Sequence, residues 1–286
     1  MTDAPLWTDG VLAGPFRRPH NNSSHEEGTI HDDATARRLG FRGGTIAGSI
    51  HMEQFPPLLT EAFGEDWYRT GGLSLYFRNP SVDFEPVRAF LRPTGEGRAE
   101  VWMDSEAGVR ILDGTASVGT PDPDSLVRRK LRELRPAADI RMLASVQVGR
   151  SVEGVPTRIP QADINRRLAV LTEADPRFTD PAILGRTTAP LSATVHALRA
   201  VEPELFGMSE GEFVGLFGAI ELLFHDGPVF ADTPYLARGR VVALAETPKT
   251  EMLWYEATLT DPATGRDVVS TLHMSRLLKA TSPLWS

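Results

Sequence analysis

The chain has 286 residues, 41% of them hydrophobic, and a formal net charge of −8, so it can bury a substantial core and is unsuited to a nucleic-acid partner. It contains no cysteine, which excludes disulfides, a thiolate nucleophile and a cysteine metal site. The acidic N-terminal segment lacks the basic region of a secretory signal, and no uncharged run approaches ~20 apolar residues, so we expect a soluble cytoplasmic protein without a membrane partner.

Residues 1–24 are rich in glycine, proline and polar residues, and we predict at most one short strand there. A short helix is predicted over 34–39, because Asp32 and Asp33 are good N-caps and Gly40 suits the left-handed position after its end. His31 therefore lies directly before a helix N-terminus. In this interpretation Asp33 is mainly a helix cap and secondarily a support for the loop that carries His31.

Gly43 and Gly44 then allow a sharp turn of the backbone, and Thr45 or Ser49 can cap a second, central helix. The first turn of that helix leaves free N–H groups near Gly48. Such groups are a ready site for an oxyanion or a carbonyl oxygen, and a glycine lets a ligand approach the backbone closely.

The stretch 26–52 at this point resembles the MaoC-like (R)-specific enoyl-CoA hydratases, whose signature runs D-x-N-P-x-H-x-D, then alanine, G-F and I-A-H-G at the start of the central helix. The matching residues are Glu26, His31, Asp33, Ala36, Gly40, Phe41 and Gly48. This chain departs from the signature at three places: Glu26 replaces the aspartate, Gly28-Thr29 replaces the Asn-Pro pair, and Ala47 replaces a histidine.

The resemblance implies a hot-dog fold and a catalytic pair formed by Glu26 and His31, which would activate water. It also implies that the N–H of Gly48 binds the thioester carbonyl. Because His25 and Glu27 are adjacent, a shift of one residue in the loop would exchange either of them with Glu26. His51 is either a packed core histidine or a substrate-binding residue in place of the histidine lost at position 47.

Further along the first half, alternating apolar and polar residues predict strands near 73–77 and 87–91, followed by a hairpin over 99–118. Prolines bound a connecting helix that begins near residue 126, and its basic face is interpreted as solvated. Strands over 236–245, 252–259 and 268–275 then form a second meander.

The second half appears as a repeat of the first. Gly40 and His51 are matched by Gly185 and His196 at a common offset of 145 (185−40 and 196−51). The region before His196 that corresponds to 26–31 contains no histidine, so we predict one active site per chain, in the first half. The fold class predicted is α+β, a double hot dog with two antiparallel sheets, each wrapped round a central helix. Its parts are a half over 1–120, a linker helix over 121–136 and a non-catalytic half over 137–286.

Other chemistries fit the sequence less well. The histidines and acids of the loop lack the H-x-x-x-H spacing of a helical zinc site, and we expect neither a metal nor another cofactor. No G-x-S-x-G nucleophile elbow is present. The function predicted is a hydro-lyase that hydrates a 2-enoyl thioester, CoA-linked by the resemblance, or dehydrates its 3-hydroxyacyl form. A thioesterase and a non-catalytic acyl-binding protein remain the alternatives, and a homodimer or a higher homo-oligomer is expected.

Overall fold

A computed structural model describes residues 4–207 and 213–285. The strands of this part are β1 (Leu6–Thr8), β2 (Val11–Ala13), β3 (Gly72–Phe77), β4 (Val87–Gly95), β5 (Arg98–Ser105), β6 (Arg110–Ser117), β7 (Ser151–Arg158), β8 (Gly215–Phe224), β9 (Pro234–Glu246), β10 (Thr250–Thr260) and β11 (Asp267–Leu278). The α-helices are α1 (Asp33–Arg38), α2 (Gly48–Met52), α3 (Pro56–Phe63), α4 (Trp67–Thr70), α5 (Leu126–Arg132), α6 (Gln161–Leu168), α7 (Leu191–Leu198) and α8 (Glu202–Phe206).

All these strands form one antiparallel sheet in the order β1-β2-β4-β5-β6-β3-β8-β11-β10-β9-β7. Strands β1 to β6 lie on one side of its centre and β7 to β11 on the other. The two groups meet only where β3 pairs with β8, with Gly72 opposite Leu223 and Tyr76 opposite Ala219. The sheet therefore consists of two halves joined edge to edge.

Strands β4 and β5 alternate buried residues with more exposed ones. In β4, Val87, Ala89 and Leu91 are buried while the intervening side chains face outward. The inner face of the sheet packs against α2, α3 and α7, and α2 and α7 contact each other. The main hydrophobic core lies between these helices and the sheet.

Helix α5 packs on the opposite face, across the seam between β3 and β8. Its Val127 is fully buried against a smaller apolar cluster, and the Val127 N–H donates to Ser74 Oγ at 2.9 Å. Buried Glu221 of β8 accepts from Arg128 Nε at 2.7 Å and from the Ser125 hydroxyl. The connecting helix thus ties both halves together at the seam.

Several elements differ from the sequence expectations. Two strands, β1 and β2, precede residue 24 instead of one, and they are joined through Asp9 and Gly10, which both have positive φ as in a tight hairpin turn. Helix α2 begins at Gly48, between the expected caps Thr45 and Ser49, and the corresponding helix α7 of the second half begins at Leu191. The division into 1–120, 121–136 and 137–286 stays a prediction. No helix among the described residues is long and apolar enough to cross a membrane.

Candidate active site

The loop before α1 is held close to the chain that leads into α2. Asn21 is buried and donates from Nδ2 to the carbonyl of His31 at 2.8 Å, while the N–H of Thr45 donates to the carbonyl of Ile30 at 2.9 Å. A Cβ on Gly44 would lie 2.3 Å from the His31 carbonyl oxygen. Gly44 is therefore required for this close approach, which brings the two segments side by side.

Helix α1 is capped by Asp32, whose side chain accepts from the N–H groups of Ala34 and Thr35. Asp33, which the sequence predicted to be mainly a helix cap, has a different role. Its carboxylate accepts from the N–H of Gly44 at 3.0 Å and from Arg37 Nε at 2.9 Å, and the Gly44 hydrogen bond is the main cause of its lowered pKa. Asp33 supports the loop from outside and does not border the cavity described below.

His31 is half-buried and its ring orientation is fixed by a hydrogen bond. Its Nδ1 lies 2.7 Å from the carbonyl oxygen of Thr45. Because a carbonyl oxygen only accepts, Nδ1 carries the hydrogen, and Nε2 of the neutral ring has a free lone pair. The structure thus provides a fixed hydrogen-bond acceptor, and a candidate base, at His31 Nε2.

Helix α2 starts without a side-chain cap. Its N-cap is Ala47, and among the described residues the N–H groups of Gly48 and Ser49 have no protein acceptor. Thr45, which was considered as a cap, instead forms an isolated β-bridge with Val82. The first turn of α2 therefore presents unpaired donors to whatever occupies the space before it.

That space is a cavity of about 540 Å³ between the two halves, a size typical of small-ligand sites. Glu26, His31, Gly48 and His51 border it from the first half. Its lining from the second half comes from α7, the turn after it, α8 and the strands β8 and β11. Four of the five candidate residues of the first half therefore share one cavity, Asp33 being the exception, and the second half completes its wall.

Glu26 lies in a turn of the loop with an exposed side chain. Among the described residues this side chain has no hydrogen-bond or ion-pair partner, so its carboxylate is free to accept from water or a ligand. Neither Glu27 nor His25 borders the cavity. Of the adjacent acids, Glu26 is thus the one at the cavity wall.

His51 is buried in α2, where its Nε2 and the Ser81 hydroxyl are 2.7 Å apart. Burial lowers the pKa of His51 to about 4, so its imidazole is neutral at physiological pH. The hydrogen bond to Ser81 fits a packed core histidine, which is one of the two interpretations that the sequence left open. Its position at the cavity wall leaves substrate contact as a prediction.

Sequence reasoning missed the residues that the second half brings to the cavity. They include Phe206, Phe217 and His273, together with Arg199 and Glu202, which form an ion pair with Arg199 Nε 2.8 Å from Glu202 Oε1. Nothing in the local pattern marks them, because they lie on four separate elements. Within residues 4–207 and 213–285, no cluster of three or more histidines and acids suited to a metal is found.

No protein-family profile and no curated protein sequence matches the chain. Solved structures do resemble it over almost its whole length. A Chloroflexus aurantiacus protein named as a MaoC domain dehydratase is 12% identical, with a TM-score of 0.65 over 96% of this chain and 95% of that one. A Mycobacterium tuberculosis protein described as having a double hot-dog fold, Rv0216, is 13% identical, with a TM-score of 0.61 over 96% and 97%.

A further structure named MaoC-like dehydratase is 15% identical and has a TM-score of 0.54, again over 96% of this chain and 97% of that one. At these identities the similarity establishes the fold alone. The predicted fold class is confirmed: the chain is a double hot dog of the type found in MaoC-like dehydratases.

Proposed function

We propose that the protein is a hydro-lyase that adds water reversibly to a 2-enoyl thioester, or removes it from the 3-hydroxyacyl form. The observation that carries the proposal is the convergence of Glu26, His31 and the unpaired N–H of Gly48 on one cavity. An acceptor pair for water and a donor for a carbonyl oxygen are the two requirements of this reaction.

In the proposed reaction one water lies between Glu26 and His31. His31 Nε2 accepts a hydrogen bond and orients the water, because the tautomer fixed by Thr45 has no hydrogen at Nε2 to donate. Glu26 removes a proton from the water as its oxygen bonds to C3. The electron pair of the C2=C3 bond moves towards the thioester carbonyl, and the proton held by Glu26 then passes to C2.

The thioester carbonyl oxygen becomes negatively charged during this addition. The N–H of Gly48 is proposed to donate to it, with the partial positive charge of the α2 start adding to the stabilisation. Removing one such donor typically costs ~10²–10³ in kcat in enzymes that use them. The small-molecule partner is therefore an acyl thioester, and CoA is its proposed carrier. Self-association of the chain stays a prediction.

The test is to incubate the protein with crotonyl-CoA and, separately, with (R)-3-hydroxybutanoyl-CoA. Enoyl absorbance and free thiol are recorded in the same sample. The proposal expects absorbance to change in opposite directions with the two substrates and no thiol release above a protein-free control. Thiol release without hydration would assign a thioesterase, and binding without either reaction would assign an acyl-binding protein.

A further inference from the structure

An unbroken line of aromatic rings crosses from the first half into the second. We name it the aromatic row; it consists of Phe77, Phe217, His273, Tyr255 and Phe206. Successive ring centroids are 5.5, 4.4, 5.1 and 5.6 Å apart. All its members except Tyr255 border the cavity. Four of the five rings therefore form part of the cavity wall, and buried Tyr255 connects His273 to Phe206 behind it.

Phe217 reaches this wall because of an irregularity in β8. Ile220 faces the main core, and simple alternation would turn Phe217 to the opposite face. The pairing of β8 with β11 shifts by one residue, since Met274 lies opposite Ala219 while Ser275 lies opposite Phe217. The extra residue, Gly218, is a bulge that turns Phe217 towards the cavity.

A side chain at the bulge position would have to displace Met274. A Cβ on Gly218 would lie 2.4 Å from Met274 Sδ, closer than two such atoms approach. Bulges beside functional sites commonly re-aim one side chain, and here the side chain is Phe217. The bulge therefore places Phe217 at the cavity, although regular packing of the strand would not place it there.

The row begins at the proposed reacting centre. A Cβ built on Gly48 would lie 2.8 Å from Phe77 Cζ and 3.1 Å from Phe217 Cδ1, so both rings pack against the start of α2. At its other end Phe206 is the last residue of α8 and borders the same cavity. The aromatic row therefore extends from Gly48 to Phe206.

The charge along the row is small. Burial lowers the pKa of His273 to about 3, and the cation of Arg199 adds to the effect, so His273 is neutral at physiological pH. Arg199 is itself neutralised by Glu202, with Nε 2.8 Å and Nη2 3.0 Å from the two carboxylate oxygens. The row itself therefore carries no net charge, which suits an apolar chain.

We propose that the second half binds the acyl chain of the substrate along the aromatic row, from Gly48 past Phe217 to Phe206. The preferred substrates are then enoyl thioesters with an apolar acyl group well beyond four carbons. The inference rests on the proposed function for its starting point at Gly48. It adds a substrate class and assigns Phe217 and Phe206 as specificity-determining residues at two distances from the reacting atoms.

The test compares Phe217→Ala and Phe206→Ala using crotonyl-CoA and 2-octenoyl-CoA. The matched control is Phe90→Ala, because Phe90 stacks on Trp102 away from the cavity. We expect Phe206→Ala to lower the octenoyl-to-crotonyl ratio of kcat/KM by about 10-fold, since apolar contacts of this size discriminate on that scale. Phe217→Ala should lower kcat/KM for both substrates, and the control should leave both unchanged.

A ratio that is unchanged in Phe206→Ala would overturn the inference. If that variant unfolds, Phe206→Leu provides the same comparison with a smaller change in volume. Octanoyl-CoA and butanoyl-CoA, which cannot be hydrated, supply a readout independent of the reaction. Wild-type protein that binds octanoyl-CoA more tightly than butanoyl-CoA, with the difference reduced in Phe206→Ala, supports the row even when no hydration is detected. Equal affinities for the two ligands in the wild type would contradict it.

Discussion

The two central helices hold corresponding places in the two halves, yet their N-termini differ. Helix α2 begins at Gly48 with unpaired N–H groups that border the cavity. Helix α7 begins at Leu191, and the N–H of Ser192 donates to Glu53 Oε1 at 2.6 Å. Glu53 follows the last residue of α2. The first half thus inserts a carboxylate into the helix start of the second half.

This difference gives a physical reason for the single site per chain that we propose. A helix start attracts an anion or a carbonyl oxygen, and at α7 a protein carboxylate already occupies that place. Glu53 is 2% exposed, and burial raises its pKa although the bonds from Ser192 act in the opposite direction. The residue at the first helical position also differs, because α7 has the side chain of Leu191 where α2 has only the backbone of Gly48.

The largest effect is expected from removing the proposed catalytic pair of the first half. His31→Ala should lower kcat for hydration by ~10²–10⁴, the usual contribution of one positioned acid–base group. Glu26→Gln should lower it similarly. The measurement is the rate of change of enoyl absorbance at saturating crotonyl-CoA, with thermal midpoints recorded to exclude unfolding.

Two control variants give this experiment its contrast. His196→Ala changes an exposed histidine at the cavity edge on α7, and Glu27→Gln changes the acid next to Glu26 that does not border the cavity. Loss of activity in Glu27→Gln but not in Glu26→Gln would show that the loop places the other acid at the reacting centre. Retention of full activity by both His31→Ala and Glu26→Gln would refute the pair.

Removing the carboxylate at α7 should destabilise the protein. Glu53→Ala leaves the Ser192 N–H buried without an acceptor, which typically costs about 1–3 kcal/mol of unfolding free energy. Glu53→Gln keeps an acceptor oxygen and removes the charge that burial disfavours. We expect urea unfolding at pH 7.5 to show little loss for Glu53→Gln. Equal destabilisation by the two variants would mean that charge, rather than the hydrogen bond, matters at this position.

The corresponding change at α2 is Gly48→Ala. Because its Cβ would lie 2.8 Å from Phe77 Cζ, the ring has to move, and overpacking of this kind costs about 1–3 kcal/mol. This packing outweighs the better helix propensity of alanine, ~1 kcal/mol. The double variant Gly48→Ala/Phe77→Leu should recover part of the lost stability. A thermal midpoint for Gly48→Ala at or above that of the wild type would contradict this packing argument.

The smallest predicted effect is on pH dependence. The pKa of His51 is lowered from 6.5 to about 4, so the unfolded chain binds a proton that the folded one does not between these values. The ionisation of His51 therefore leaves the free energy of unfolding unchanged above pH 6.5 and lowers it as the pH falls from 6.5 towards 4. Between pH 7.5 and 5.5 the loss is about 1 kcal/mol. Urea unfolding of wild type and His51→Gln should show a smaller decrease in the variant. An identical decrease would exclude His51 as its source.

The strands of the second meander were predicted well because they are long runs rich in apolar, β-branched and aromatic residues. Strand β7 was not predicted, since Gly154 and Pro156 interrupt its pattern; it is an edge strand that pairs with β9 through a register shift. The positive φ of Gly40 agrees with the predicted helix end. The strands of the second meander and the end of α1 are local features, and local sequence is sufficient to indicate them.

The composition of the cavity wall could not be predicted in the same way. Phe217 faces the cavity because of a bulge, which alternation does not indicate. The bond between Glu53 and Ser192 joins residues 139 positions apart, and the approach of Gly44 to the loop becomes visible only as a Cβ distance. Such contacts depend on how the two halves pack, so local sequence does not indicate them. The candidate residues of the loop, by contrast, belong to a short sequence motif.

The central claim is that each chain has one acyl-thioester site, at the start of α2, and that Glu53 closes the corresponding place at α7. Isothermal titration of the full-length protein with octanoyl-CoA, which cannot be hydrated, measures the number of sites directly. The account predicts one ligand bound per chain, with the same stoichiometry in Glu53→Gln. Two ligands per wild-type chain would contradict it.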